Sequence, residues 1–109
     1  MKMEHCIANC TETHQICLET VSYCLGKGGK HAEAKHLRLL LDCAQICTTS
    51  ADYMIRKSEM HGRTCGLCAD VCKRCAEACD AFGDDPQMKR CAEACRRCVQ
   101  SCREMADHA

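Results

Sequence analysis

The chain has 109 residues, 15 basic and 15 acidic side chains, and a formal net charge of zero. That balance creates no field for nucleic acid or an anionic membrane, and one Phe, two Tyr and no Trp provide no platform for stacking bases. The opening MKMEHCIANC lacks the apolar stretch of a secretory signal and the longest aliphatic run, LLL, is too short to cross a bilayer, so a cytoplasmic protein with one domain over residues 1–109 is expected.

Glycine and proline divide the chain into four predicted helices. The first, about 2–25, stops at GKGG, and its inward stripe reads Met3, Cys6, Cys10, Thr13, Cys17, Thr20, Cys24. The second, about 33–60, stops before Gly62, with His36, Leu40, Cys43, Cys47, Ser50 and Met54 on its stripe. TTS at 48–50 is a weak point in it, where a bend is expected. The third, about 64–82, carries CGLCADVCKRCAEAC, with Cys65, Cys68, Cys72, Cys75 and Cys79 at gaps of 3, 4, 3 and 4. That is the a/d spacing of a helical seam, normally filled by Leu, Ile and Val. FGDDP then predicts a left-handed Gly83, an N-cap at Asp85 and Pro86 as the first residue of the next helix. The fourth helix, about 86–106, carries Met88, Cys91, Cys95, Cys98, Cys102 and Met105 on one stripe. No segment alternates as a strand does. Short connections make successive helices antiparallel, so the expected fold is all-α, a single up-down-up-down four-helix bundle.

The faces opposite the cysteines are charged. Helix 3 has Asp70, Lys73, Arg74, Glu77 and Asp80 there, and helix 4 has Lys89, Arg90, Glu93, Arg96, Arg97, Arg103 and Glu104. With the charges solvated, the thiols form the core. Counting from each turn predicts layers: Cys17, Cys43, Cys79 and Cys91; then Cys47, Cys75 and Cys95; then Cys10, Cys72 and Cys98; then Cys6, Cys68 and Cys102 with Met54.

Cysteine is a poor filler, because a core draws its stabilisation from larger side chains. A disulfide framework does not fit either. The count of 15 is odd, and cysteines four apart on a helix hold their Cβ atoms about 5–6 Å apart, whereas a disulfide needs about 3.5–4.5 Å. Thiolates are soft ligands for Cu(I), Zn(II) and iron–sulfur clusters. The CxxC pairs 65/68, 72/75 and 95/98 lie inside helical runs without zinc-knuckle features, and helix 3 departs from iron–sulfur spacing at its third cysteine. Six CxxxC pairs remain: 6/10, 43/47, 68/72, 75/79, 91/95 and 98/102. Each sets two sulfurs on one helical face, where they can converge on one Cu(I) held between them.

These motifs, CIANC, CAQIC, CADVC, CAEAC twice and CVQSC on four predicted helices, resemble the cytosolic branch of the cysteine-rich four-helix-bundle copper storage proteins. The resemblance covers nearly the whole chain. It implies storage of many Cu(I) ions per chain on core thiolates, assembly into homo-oligomers, often tetramers, and no catalysis. Exchange with a copper chaperone or small thiols would follow from such a role. The paired cysteines match the family's ligand motif, and Cys17, Cys24 and Cys65 share the seams without a CxxxC partner.

Other classes fit less well. A di-iron enzyme needs two Glu-x-x-His motifs, and only Glu33 with His36 has that spacing. A redox sensor wants one or two exposed thiols. The runner-up is a thiolate-based zinc buffer, followed by a helical interaction bundle with redox-sensitive cysteines. Softer accessory donors stand at both ends. Met54, His61 and Met105, with Met3, His5, Met60 and His108 nearby, mark the end near Cys65 and Cys102 as the expected mouth. His36, Met88 and Cys24 lie at the other end, where Leu40 and Phe82 suggest a plug. Leu37, Leu41 and Ile55 lie off the second seam, and helix 2 is therefore the expected oligomer face.

Overall fold

The structure is a computed structural model and describes residues 2–107. Four α-helices follow in order: α1 (Lys2–Lys27), α2 (Ala34–Ile55), α3 (His61–Asp80) and α4 (Pro86–Asp107), with a 3-10 turn at Gly29–Ala32 between the first two. Each packs on its two sequence neighbours, and α4 closes the ring against α1. The cross-ring contacts run antiparallel. Cys6 meets Cys102, Cys10 meets Cys98 and Cys17 meets Cys91 down the α1–α4 interface. Cys43 meets Cys72 and Cys47 meets Cys68 between α2 and α3. The expected up-down-up-down bundle is therefore the fold, a rod of 42 × 20 × 17 Å.

The two helix boundaries at the α2–α3 turn differ most from those expected, for one local reason. α2 ends at Ile55 rather than near 60, and α3 begins at His61 rather than 64. Lys57 turns left-handed (φ 55°). Its N–H donates to the Met54 carbonyl at 3.0 Å and that of Ser58 to the Tyr53 carbonyl at 2.9 Å. These two bonds form a Schellman cap without the glycine that usually announces one. A lysine there costs about 1–2 kcal/mol relative to glycine, which those bonds offset. Gly62 then falls inside α3 rather than ending α2. The third turn follows expectation: Gly83 is left-handed (φ 63°), and Asp85 Oδ1 accepts the N–H groups of Gln87 at 3.1 Å and Met88 at 3.2 Å, an N-cap with Pro86 at the first helical position.

α2 runs through TTS as one helix. Thr48 Oγ1 lies 2.8 Å from His14 Nδ1, joining α2 to α1. All fifteen cysteines are buried, with Leu40, Met54 and Met88 the largest fully buried side chains. Ala44, Ala51, Ala69, Ala76, Ala92 and Ala94 fill the flanks of the seams. No buried side-chain nitrogen or oxygen among the described residues lacks a hydrogen bond. Outside, Arg90 pairs with Glu19 at 2.9 Å and Arg97 with Glu12 at 2.7 Å across α1–α4. These pairs are half exposed, so solvent screens them and they add little to stability.

This core is apolar without any ion, since protonated cysteine packs as a small hydrophobe. Metal-free, reduced protein is therefore expected to give a strongly helical far-UV circular dichroism spectrum. A coil spectrum that turns helical only with metal would contradict that.

Candidate metal centre

The cysteines stand where the seams predict, all free and all facing inward. Their layering departs from the expected one along α3 and α4. Cys43 sits with Cys17, Cys75 and Cys95, not with Cys79 and Cys91. Cys47 sits with Cys68, Cys72 and Cys98, and Cys6 with Cys65 and Cys102. Against α1 and α2, α3 has slipped by one cysteine step, because the α2–α3 turn lies earlier than expected. α4 is shifted against α2 as well, so that Cys43 meets Cys95 and Cys47 meets Cys98.

The sulfurs fall into two linked sets. Toward the α2–α3 turn, three groups share members: Cys6, Cys65 and Cys102; Cys10, Cys68, Cys98 and Cys102; and Cys47, Cys68, Cys72 and Cys98. Toward the other end, Cys17, Cys43, Cys75 and Cys95 share Cys75 with the group Cys75, Cys79 and Cys91. A Cys43–Cys72 contact of 3.4 Å joins the two sets. Other close pairs lie at 3.6–3.9 Å. With metal–ligand bonds of about 2.0–2.3 Å, the donors of a three- or four-coordinate ion stand about 3.5–4 Å apart. The thiols therefore already hold ligand-to-ligand spacing.

Fourteen cysteines belong to these groups, and Cys24 belongs to none. Its sulfur lies 3.7 Å from His36 Nε2 and 3.7 Å from Met88 Sδ. The structure thus brings together the accessory donors predicted for this end. Phe82 lies beside them, its ring 4.9 Å from that of His36 and 4.3 Å from that of His31, while Leu40 is fully buried. At the opposite end Met54 and Met105 are buried in the core, but His61 turns Nδ1 to the Ser58 carbonyl at 2.8 Å. Met60 is exposed and His5 pairs with Asn9. His108 lies outside the described residues.

The hydroxyls that the spacing places on the inward stripes, Thr13, Thr20 and Ser50, are buried. Ser50 Oγ lies 3.2 Å from Cys65 Sγ. Thr13 donates to the Ala94 carbonyl at 3.1 Å and Thr20 to the Ile16 carbonyl at 2.7 Å. Such bonds satisfy the polar groups where the seam lacks sulfur.

The protons are unequally held. Bonds from neighbouring thiols hold Cys43, Cys91 and Cys98 well below the usual thiol range and bring Cys68 to about 3, with burial opposing in each case. At Cys17, Cys47, Cys79, Cys95 and Cys102 the neighbouring thiols push upward, and burial adds to them. Burial, with the charges of Cys91 and Asp85, raises Cys24 to about 11. Burial also lowers His36, keeping its imidazole neutral and able to ligate.

A stack of soft donors at ligand spacing, enclosed by four helices, suits monovalent soft cations. The sequence profile of the copper storage proteins matches residues 1–107. A solved protein of Nitrosospira multiformis superposes with a TM-score of 0.92 at 38% identity, covering 99% of this chain and 97% of its own. The Cu(I)-bound copper storage protein BsCsp3 superposes at 0.89 with 32% identity, over 97% of this chain and 99% of its own. The copper storage protein Ccsp of Streptomyces lividans, loaded with 10 copper equivalents, superposes at 0.85 with 29% identity, over 99% and 86% respectively.

Proposed function

Because the chain belongs to the copper storage protein family, we propose that its fifteen cysteines are the thiolate ligands of a multi-ion Cu(I) store. The protein binds and stores several Cu(I) ions in its bundle core. The observation that supports this ligand set is the shared membership of the groups: Cys68, Cys75, Cys98 and Cys102 each belong to two, as bridging thiolates in a continuous cluster would. Charge supports the choice of ion. Near-equal numbers of Cu(I) and thiolate leave a neutral core, whereas filling the same positions with Zn(II) leaves a large buried positive charge. In competition, the protein should hold copper against a strong Cu(I) chelator and lose zinc to a Zn(II) indicator of moderate affinity. The reverse ranking would favour the zinc buffer.

The reading extends to uptake, assembly and place. Cu(I) enters beside Met54, His61 and Met105, whose weaker donors pass ions to the Cys6–Cys65–Cys102 group. Replacing them with Leu, Phe and Leu should slow uptake and leave capacity nearly unchanged; equal kinetics would remove the idea. Delivery comes from a copper chaperone or small thiols in the cytoplasm. No described helix is long and apolar enough to cross a membrane. Assembly uses α2, where Leu41 and Ile55 are 47% and 61% exposed, while Leu37 packs against the core. Sedimentation should show a homo-oligomer, a tetramer by analogy with the family, that Leu41→Glu dissociates. A monomeric wild type would end that reading.

A further inference from the structure

Of the three hydroxyls on the cysteine stripes, Ser50 alone touches sulfur among the described residues. A serine or threonine inside a helix ordinarily returns its hydroxyl to a carbonyl three or four residues back, as Thr11, Thr20 and Ser101 do. Ser50 lies fully buried inside α2. Its one hydrogen-bond partner among the described residues is Cys65 Sγ on α3, at 3.2 Å. That is shorter than any contact between two thiols, which stand at 3.4–3.9 Å. We propose that Ser50 is a positioning residue of the store: its hydroxyl donates to the Cys65 thiolate and holds that sulfur as a terminal ligand, bound to one ion, at the end of the array beside the α2–α3 turn. The proposal rests on the storage reading above and gives a role to a residue that is not itself a ligand.

Protonation decides the direction of the bond. In the metal-free protein either partner can donate, since both carry a hydrogen. A Cys65 that ligates Cu(I) has released its proton to solvent and formed an S–Cu bond, while Ser50 keeps its own proton. The contact then persists with Ser50 as the donor. An O–H bond to a thiolate is charge-assisted and stronger than the neutral one it replaces, so loading tightens the contact.

Group membership shows what the bond does. Cys68, Cys75, Cys98 and Cys102 each belong to two groups, whereas Cys65 belongs to one, with Cys6 and Cys102. A bridging thiolate spends a lone pair on each of two ions. The Ser50 hydrogen bond occupies a lone pair of Cys65, which leaves that sulfur as a ligand to one ion. A terminal thiolate also keeps more negative charge than a bridging one. Cys65 is fully buried, where a charge without a partner is costly. Ser50 supplies the partner, and the other two hydroxyls on the stripes, Thr13 and Thr20, are bound to carbonyls elsewhere.

The test withdraws Cu(I) from anaerobically loaded, full-length protein with a chromogenic Cu(I) chelator. It compares wild type, Ser50→Ala, Cys65→Ala and the double variant. Ser50→Ala should load to the wild-type count but surrender about one ion per chain at about tenfold lower chelator concentration, the scale of losing a partner that orients a metal ligand. In the Cys65→Ala background the same substitution should change nothing, because Ser50 acts only through that sulfur. A packing role would weaken copper equally in both backgrounds. That result, or a Ser50→Ala indistinguishable from wild type, would overturn the proposal.

Ser50→Cys gives a second check with a side chain of nearly the same shape. With a thiol in place of the hydroxyl, the array gains a ligand and Cys65 is released to bridge, so the count should rise by about one ion per chain. An unchanged count would overturn the proposal as well. Failure of the storage reading looks different: the wild type itself would retain no copper against the chelator.

Discussion

Replacing Cys68 and Cys98 together with alanine is expected to cost more than two Cu(I) ions per chain. Both residues belong to the same two groups, one with Cys10 and Cys102 and one with Cys47 and Cys72. Removing them leaves two cysteines in each of those groups, so the shared cluster loses its bridges along with its ligands. Cys79→Ala is the comparison, since Cys79 belongs to one group and lies at its edge; about one ion should be lost there. Alanine keeps helix propensity and both variants should stay helical. Copper counts on equally loaded, equally helical proteins decide the matter. Equal losses per cysteine in the two variants would show independent sites instead of shared clusters.

Acid is expected to empty the store. Ten thiols, Cys10, Cys17, Cys24, Cys47, Cys65, Cys72, Cys75, Cys79, Cys95 and Cys102, are held above their usual range in the metal-free protein. At neutral pH they carry protons, which Cu(I) must displace. Falling pH therefore favours the metal-free form, by about tenfold per pH unit for each proton exchanged per ion. Copper retained against a chelator of known pH dependence should drop steeply between pH 7 and 5. A flat profile would mean that the thiols are already ionised before loading. The metal-free protein responds in the opposite direction. A thiol raised to about 11, as Cys24 is, contributes stability that is present below the unfolded value near 9 and is lost as pH rises through 11.

Glycine and proline breaks were enough to read the helix count, short connections the antiparallel order, and cysteine spacing the inward face of every thiol. A period of 3.5 residues over whole helices leaves only one face for each. Register was harder to read. Counting along α3 depended on where the preceding turn lay, and that turn is built on a left-handed Lys57 that no glycine marks. A one-step slip of α3 followed, changing the partners of Cys43 and Cys47 while leaving the column intact. His36, Met88 and Cys24 were placed at one end by their seam positions alone. Their convergence to 3.7 Å depends on the tie through Asp85, Tyr23 and His31, which joins loop and helix residues that no periodic pattern relates. His14 and Thr48 were missed for the same reason: a single contact between two partly buried side chains has no spacing to betray it.

On the storage reading, the thiols act as one shared Cu(I) cluster array rather than as a few isolated sites. Equilibrium dialysis of the reduced protein against buffered Cu(I), with copper and thiol measured on the same sample, tests it most directly. A copper count comparable with the 15 thiols, alongside much lower zinc uptake under matched conditions, is the predicted result. Saturation at about two to four ions, the number that separate four-cysteine sites would hold, would contradict it.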